Sequence, residues 1–156
     1  MYEEEFERIK QLLNTLRMDA SAKIVFLVDK NGQQIAGAGE VNLVDSTSLA
    51  SLTAGNVAAT DGLAKLIGEK EFSILFHEGR KDNIHISIVG QRLILVVIFD
   101  ERSSLGLVRL RVRKASADIE RVLNEMDTKA QQIGSVEITS PFAEITDDDI
   151  DALFSE

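Results

Sequence analysis

The sequence predicts an α+β domain in which helices cover a five-stranded antiparallel sheet. Three observations support this prediction. Apolar residues recur at helical spacing in three segments, short β-branched runs stand between turn signals, and hairpins join neighbouring strands. The predicted order is helix, strand, strand, helix, three strands, helix, and strands joined by hairpins must run antiparallel.

A helix and a hairpin are predicted for the first part of the chain. Residues 2–18 carry apolar side chains at steps of three and four, which is typical of an amphipathic helix. Residues 23–29 form a near-continuous apolar run rich in β-branched residues, which predicts a central strand. The tetrapeptide 29–32 is rich in turn-forming residues, and residues 33–37 return as a short strand.

The segment 45–68 predicts the central helix, with Asp45 or Ser46 as its N-cap. One face is a seam made of Leu49, Leu52, Asn56, Ala59, Leu63 and Leu66. A second face holds small residues, at which another backbone could approach closely: Ala50, Ala54, Val57, Asp61, Ala64 and Gly68.

The glycines of this helix indicate an interface. Each helical Gly costs about 1 kcal/mol relative to Ala, so close packing must offset Gly55 and Gly62. We therefore expect a self-complementary surface, as in a twofold dimer. The alternative is a core helix covered on both sides within one domain.

Three further strands and a long helix follow. The strands are predicted at 71–77, 83–89 and 92–99, and Gly90 begins a tight hairpin between the last two. Ser103 or Ser104 is then expected to cap a helix whose apolar residues repeat every seven positions.

The chain divides into three predicted parts: a domain at 1–126, a linker at 127–141 and an acidic tail at 142–156. Thr146 is a good N-cap for a short amphipathic tail helix, and acidic residues fill its first turn. Such a helix is marginal alone, so either it frays or its apolar face enters a groove on this domain or on a partner. That face carries Ile150, Leu153 and Phe154.

The charge distribution excludes several partners. The net charge is −9, and residues 115–156 supply all of it, with 11 acidic and two basic side chains. Nucleic acid and anionic membranes are therefore poor partners. The basic cluster of the long helix is interpreted as a solvated face rather than a phosphate-binding patch; it comprises Arg109, Arg111, Arg113 and Lys114. The N-terminus lacks the apolar run of a secretory signal, so we expect a cytoplasmic protein.

No catalytic or metal-binding pattern is visible in the sequence. The phosphate-loop spacing is absent, the chain has no Cys, and no nucleophile and base stand on a known elbow. His77 and His85 fall in predicted strands and are interpreted as hydrogen-bonded strand residues. A small-molecule sensor is possible for this architecture, but few polar residues converge on a predicted pocket. We expect no enzyme, no cofactor and no metal.

Several segments together resemble one family. The central segment AS-L-TAGNVAAT-GLAKLIGE, the segment FHEG and the segment VVIFDERSSLGLVRLRVRKA occur in the order typical of the Roadblock/dynein light chain family. The resemblance covers residues 1–126 and returns in the tail SPFAEITDDDIDALFSE. It implies an α/β/α sandwich.

The resemblance also implies a homodimer that binds one Ras-like small GTPase with two chains. In such dimers the central helices lie side by side and the following edge strand, here 72–77, pairs with its twin. The implied dimer residues are Gly55, Ala58, Gly62, Phe72, Ile74 and Phe76. The implied GTPase-binding residues are Asn56, Thr60, Ala64 and Gly68.

The implied activity is GTPase activation in cell polarity and gliding motility, with a cell pole as one location. The GTPase's own catalytic residues are repositioned, so neither Arg80 nor Arg102 is expected to act as an arginine finger. The tail is expected to contact the GTPase and promote nucleotide exchange through Phe142, Ile145, Ile150, Leu153 and Phe154. The alternative function is a dimeric scaffold that binds a GTPase or motor complex without activating it.

Overall fold

The computed structural model describes residues 3–139 of the chain. The helices are α1 (Glu3–Asp19), α2 (Ser46–Leu66) and α3 (Leu105–Thr139), and a single 3₁₀ turn stands at Val41–Leu43. The strands are β1 (Ile24–Asp29), β2 (Gln34–Gly39), β3 (Ile74–Glu78), β4 (Asn83–Val89) and β5 (Leu93–Phe99). This order confirms the predicted fold class.

The five strands form one antiparallel sheet in the order β2-β1-β5-β4-β3. Strand β5 lies in the middle, and all seven of its residues are buried. Strands β2 and β3 are the edges of the sheet. The edge strand β3 is the element that follows the central helix α2 in the chain, after residues 67–73.

Helices cover both faces of the sheet, as the sandwich prediction requires. Ile9 of α1 and Ile119 of α3 pack with Val25 and Leu95 in one hydrophobic core. On the opposite face, Val57 and Ala50 of α2 pack with residues of β1, β4 and β5 that include Phe26, Ile86 and Val96. Successive strand residues point to opposite faces, so each strand contributes to both cores.

Caps and turns agree with the predicted chemistry. The carboxylate of Asp45 accepts hydrogen bonds from the backbone N–H of Ser48 at 3.2 Å and from its hydroxyl at 2.8 Å. Between β4 and β5, Gly90 and Gln91 both have positive φ, at 61° and 62°. The backbone N–H of Arg92 donates to the carbonyl of Val89 at 3.4 Å, which closes a tight turn around Gly90 and Gln91. Val89 pairs with Leu93 across a three-residue connection.

Most element boundaries agree with prediction to within two residues, and two differ by more. Strand β3 begins at Ile74 rather than at residue 71, so Phe72 precedes the strand. Helix α3 continues through residues 127–139, which were predicted as linker. That stretch contains no proline, and the only proline of the chain, Pro141, lies just beyond it. The division at 1–126, 127–141 and 142–156 stays a prediction.

The extension of α3 is in contact with α1. The ammonium group of Lys129 lies 3.4 Å from Oε1 of Glu5, and Arg8 pairs with Glu125. Within residues 3–139, no helix is both long enough and apolar enough to span a bilayer.

Candidate functional site

The outward face of α2 carries several exposed apolar side chains. Leu52, Leu63 and Leu66 have exposed fractions of 73%, 61% and 82%, and Ile67 follows directly after the helix at 69%. The three leucines lie on one side of the helix because their spacing keeps them within a narrow arc at 100° per residue. Clustered exposed leucines of this kind mark an interaction surface.

The same face contains glycines that the protomer itself does not require. A Cβ built on Gly55 or Gly62 meets no atom within 4 Å in the described part of the chain. Each glycine costs helix stability of about 1 kcal/mol. Their flat, open surface is therefore suited to the close approach of another helix.

The small-residue face of α2, which was expected to let another backbone approach closely, instead packs against the protein's own sheet. Ala50, Val57 and Ala64 of the small-residue face are buried against the sheet, and the leucine seam faces outward. Small residues fit there because Phe26 and the isoleucines of the sheet already fill the space beneath the helix.

Strand β3 forms a sheet edge beside α2. Among the described strands it pairs only with β4, with Ile74 opposite Ser87 and Phe76 opposite His85. Its outer edge therefore presents backbone groups that a second strand can pair with. Ile74 is exposed, which adds an apolar side chain to that edge.

A polar junction connects α2 with β3. The side-chain amide nitrogen of Asn56 lies 3.0 Å from Nε2 of His77. The hydroxyl of Thr60 donates a hydrogen bond to the backbone carbonyl of Asn56 at 2.8 Å. Two of the predicted GTPase-binding residues are thus side by side, one turn apart on α2.

The other two predicted GTPase-binding residues have structural roles in the protomer. Ala64 has no exposed surface, so it cannot itself touch a partner, and Ala64→Arg would disrupt the core rather than test binding. Gly68 has φ of +84°, and Glu69 N–H beyond it bonds back to the carbonyl of Ala64. Gly68 therefore ends α2 in a left-handed conformation that favours glycine.

The predicted dimer residues fall into two groups. Gly55, Ala58 and Gly62 are exposed on α2 and Ile74 is exposed on β3. Phe76 instead stacks on Phe99 with ring centroids 6.1 Å apart, so much of its surface belongs to the protomer's own core. Phe72 is half-buried and lies before β3, which corrects its expected place on the edge strand.

The two loop arginines differ in their surroundings. Arg80 is exposed in the turn between β3 and β4. Arg102 makes a two-pronged pair with Asp100, with Nε and Nη2 each 3.0 Å from a carboxylate oxygen. The Arg102 hydrogen bond lowers the pKa of Asp100 and keeps the carboxylate charged. Arg102 is therefore already engaged within its own loop.

The leucine seam is visible in the sequence as helical periodicity, but no role at an interface was predicted for it. Periodicity alone gives two candidate faces, and only the sheet shows which is covered. The predicted tail residues lie outside the described residues: Phe142, Ile145, Ile150, Leu153 and Phe154.

Several known proteins are similar to this chain in sequence and fold. The Roadblock/LC7 domain family matches residues 8–99. The chain is similar to Myxococcus xanthus MglB, with 61% identity and a TM-score of 0.77, covering 80% of this chain and 94% of that one. The gliding protein MglB of Thermus thermophilus is 32% identical with a TM-score of 0.74, covering 80% and 95%.

A third solved structure, described as MglB with tetrameric arrangement, is 30% identical. Its TM-score is 0.74, and the match covers 80% of this chain and 94% of that one. No curated protein sequence matches the chain.

Proposed function

Because the chain belongs to the Roadblock/LC7 family, we propose that it is a homodimeric regulator that activates a Ras-like small GTPase of the MglA type. Its likeness to two MglB proteins supports the choice of partner. The single observation that carries the proposal is the exposed face of α2, where leucines and unneeded glycines share one surface.

The homodimer is proposed to form through α2 and β3. Gly55, Ala58 and Gly62 let two copies of α2 approach, and the β3 edge of one protomer pairs with the β3 edge of its twin. A twofold axis suits this arrangement because each protomer offers the same helix face and the same strand edge. Leu52 and Leu63 would lose exposed apolar surface in that contact.

One GTPase then docks across the pair, so that two chains serve one GTPase. Asn56 and Thr60 are proposed to contact it from the α2–β3 junction. Gly68 would contribute to GTPase binding at the exposed end of the helix. Ala64 would contribute indirectly, because it packs α2 against the sheet. The proposed GTPase-binding surface of α2 is largely uncharged, so binding would depend on shape complementarity more than on electrostatic steering.

Activation is proposed to work by positioning the catalytic groups of the GTPase. In Ras-like GTPases a glutamine orients the attacking water, and many activators add an arginine from outside. Arg102 is held by Asp100 and is unsuited to that role. Docking would instead fix the mobile loops of the GTPase in their catalytic arrangement, a gain from preorganisation.

The tail is proposed to act separately from the α2 surface. Residues 142–156 would contact the GTPase through the apolar side chains of the predicted tail helix and promote nucleotide exchange. The protein would act in the cytoplasm, including a cell pole, in polarity and motility.

Hydrolysis kinetics test the proposal against the scaffold alternative. A cognate MglA-type GTPase is loaded with GTP, and phosphate release is followed with the protein and with a Gly62→Arg variant. An activator accelerates hydrolysis, and the variant loses the acceleration together with the dimer. Tight binding without any acceleration would instead identify a scaffold.

A further inference from the structure

A cavity lies on the face of the sheet opposite α2, between β3, β4 and α3. Its volume is about 360 Å³, within the range of small-molecule sites. His85 and Ser87 of β4 line it, as do Arg109 and Arg113 of α3. Ile74 and Val112 give it an apolar wall.

The β4 side chains in this cavity are buried without hydrogen bonds. His85 is 1% exposed, and neither ring nitrogen has a partner among the described residues. The hydroxyl of Ser87 is likewise buried and unpaired. Buried polar groups in folded proteins nearly always have a partner, so three unpaired atoms on two residues of one cavity wall indicate that water or a polar ligand completes their hydrogen bonds.

The two arginines determine the charge of that ligand. Arg109 and Arg113 stand one helical turn apart, where like charges repel each other. Within the described residues, neither forms an ion pair or a hydrogen bond, so no protein carboxylate there neutralises them. Guanidinium groups bind phosphate and carboxylate oxygens through paired N–H donors.

The lowered pKa of His85 favours the neutral imidazole, which can donate one hydrogen bond to an anion. Burial, followed by the positive charge of Arg109, lowers the pKa of His85 below its ordinary value. A neutral imidazole can still donate one N–H, and the Ser87 hydroxyl can donate another.

We propose that this cavity binds a small oxyanion ligand, a phosphorylated or carboxylated molecule, between Arg109, Arg113, His85 and Ser87. Water in the cavity would satisfy His85 and Ser87, whereas an oxyanion would in addition pair with the two exposed guanidinium groups. Arg109 and Arg113 are exposed, as the interpretation of the basic cluster as a solvated face expects, and the proposal adds a binding role for these two residues. The inference does not require the proposed function, because the cavity and α2 lie on opposite faces of the sheet, although Ile74 lines the cavity and also belongs to the proposed β3 interface.

The test uses the full-length protein and the ring signals of its two histidines in NMR. Inorganic phosphate and, separately, succinate are titrated at constant ionic strength adjusted with sodium chloride. We expect a saturable shift of the His85 signals and a rise of the His85 pKa, with no saturable shift at His77 on the other face. Saturation by phosphate alone supports a phosphorylated ligand, and saturation by both supports a general oxyanion site.

Matched variants separate a built site from surface charge. Arg109→Gln with Arg113→Gln should weaken phosphate binding by at least about tenfold, and Ser87→Ala should weaken it by a smaller factor. Lys114→Gln removes a neighbouring charge that does not line this cavity and should leave binding unchanged. A shift that never saturates, or an equal effect of Lys114→Gln, would mean an adventitious ion only and would overturn the proposal.

Discussion

The amide nitrogen of Asn56 lies 3.0 Å from Nε2 of His77, so a polar contact connects the central helix to the edge strand beside it. Asn56 is a proposed GTPase contact, and His77 belongs to the strand proposed to pair in the dimer. A GTPase bound to α2 and a second protomer paired at β3 would therefore each contact an element that carries one partner of the Asn56–His77 interaction. This provides a physical route by which partner binding and dimerisation influence each other.

Alanine at the outer glycines should separate helix stability from dimerisation. Gly55→Ala and Gly62→Ala place a methyl group in open space of the protomer, so each should stabilise α2 by about 0.5–1 kcal/mol. The same methyl groups should hold two α2 helices apart and raise the dimer dissociation constant, measured by analytical ultracentrifugation. Gly106→Ala is the matched control, because Gly106 is equally open but lies on α3. Unchanged or tighter dimerisation in both α2 variants would contradict the proposed interface.

Removal of the loop arginines should leave activation largely intact. Arg80→Ala and Arg102→Ala each delete a guanidinium group that could serve as an arginine finger. In an ordinary activator, the loss of the finger lowers the rate of GTP hydrolysis by a factor of about 10³–10⁵. Single-turnover GTP hydrolysis is compared with that of Arg121→Ala, a substitution on the distant surface of α3. A drop of more than about a hundredfold for either loop variant, with GTPase binding unchanged, would show that a finger operates.

Acidification should destabilise the fold through His85. The pKa of His85 is lowered in the folded state, so the unfolded chain binds more protons between the folded pKa and the unfolded value of about 6.5. The free energy of unfolding is therefore fully maintained above that window and decreases as pH falls through it. Urea titrations across the window test this, with His85→Asn as a polar side chain that does not titrate. An identical pH slope in the variant would rule His85 out as the cause.

Truncation after Ser140 should slow GTP loading of the GTPase and weaken the complex, if the tail contacts it. Fluorescent-nucleotide exchange and binding titrations measure the two effects. A full-length variant with Ile150, Leu153 and Phe154 replaced by serine keeps every acidic residue, and it should behave like the truncation. If both variants match the intact chain, the tail has no part in exchange.

The helices and strands were predictable because local hydrophobic periodicity and turn-forming residues indicate each of them. The Asp45 cap and the Gly90–Gln91 hairpin follow from the residues that stand there. The orientation of α2 was not predictable, since both of its faces have helical spacing and only the sheet decides which is covered. Ala64 was thus misassigned to an exposed surface.

The proposed oxyanion site between β4 and α3 could not be predicted from sequence spacing, because its residues are distant in the sequence. Alternation along β4 indicates that His85 and Ser87 share a face, but not that α3 brings two arginines over them. Likewise, the continuation of α3 through 127–139 was missed because the Thr, Gln, Gly and Ser residues there were interpreted as a linker, although Ile133 continues the seven-residue spacing of Ile119 and Met126.

The central claim is most directly tested by GTP hydrolysis of a cognate MglA-type GTPase, titrated with this protein. The account predicts faster hydrolysis that saturates near two chains per GTPase, with the complex containing one dimer. Saturation near one chain per GTPase would contradict the shared α2 surface. Binding with no acceleration at any ratio would contradict activation itself.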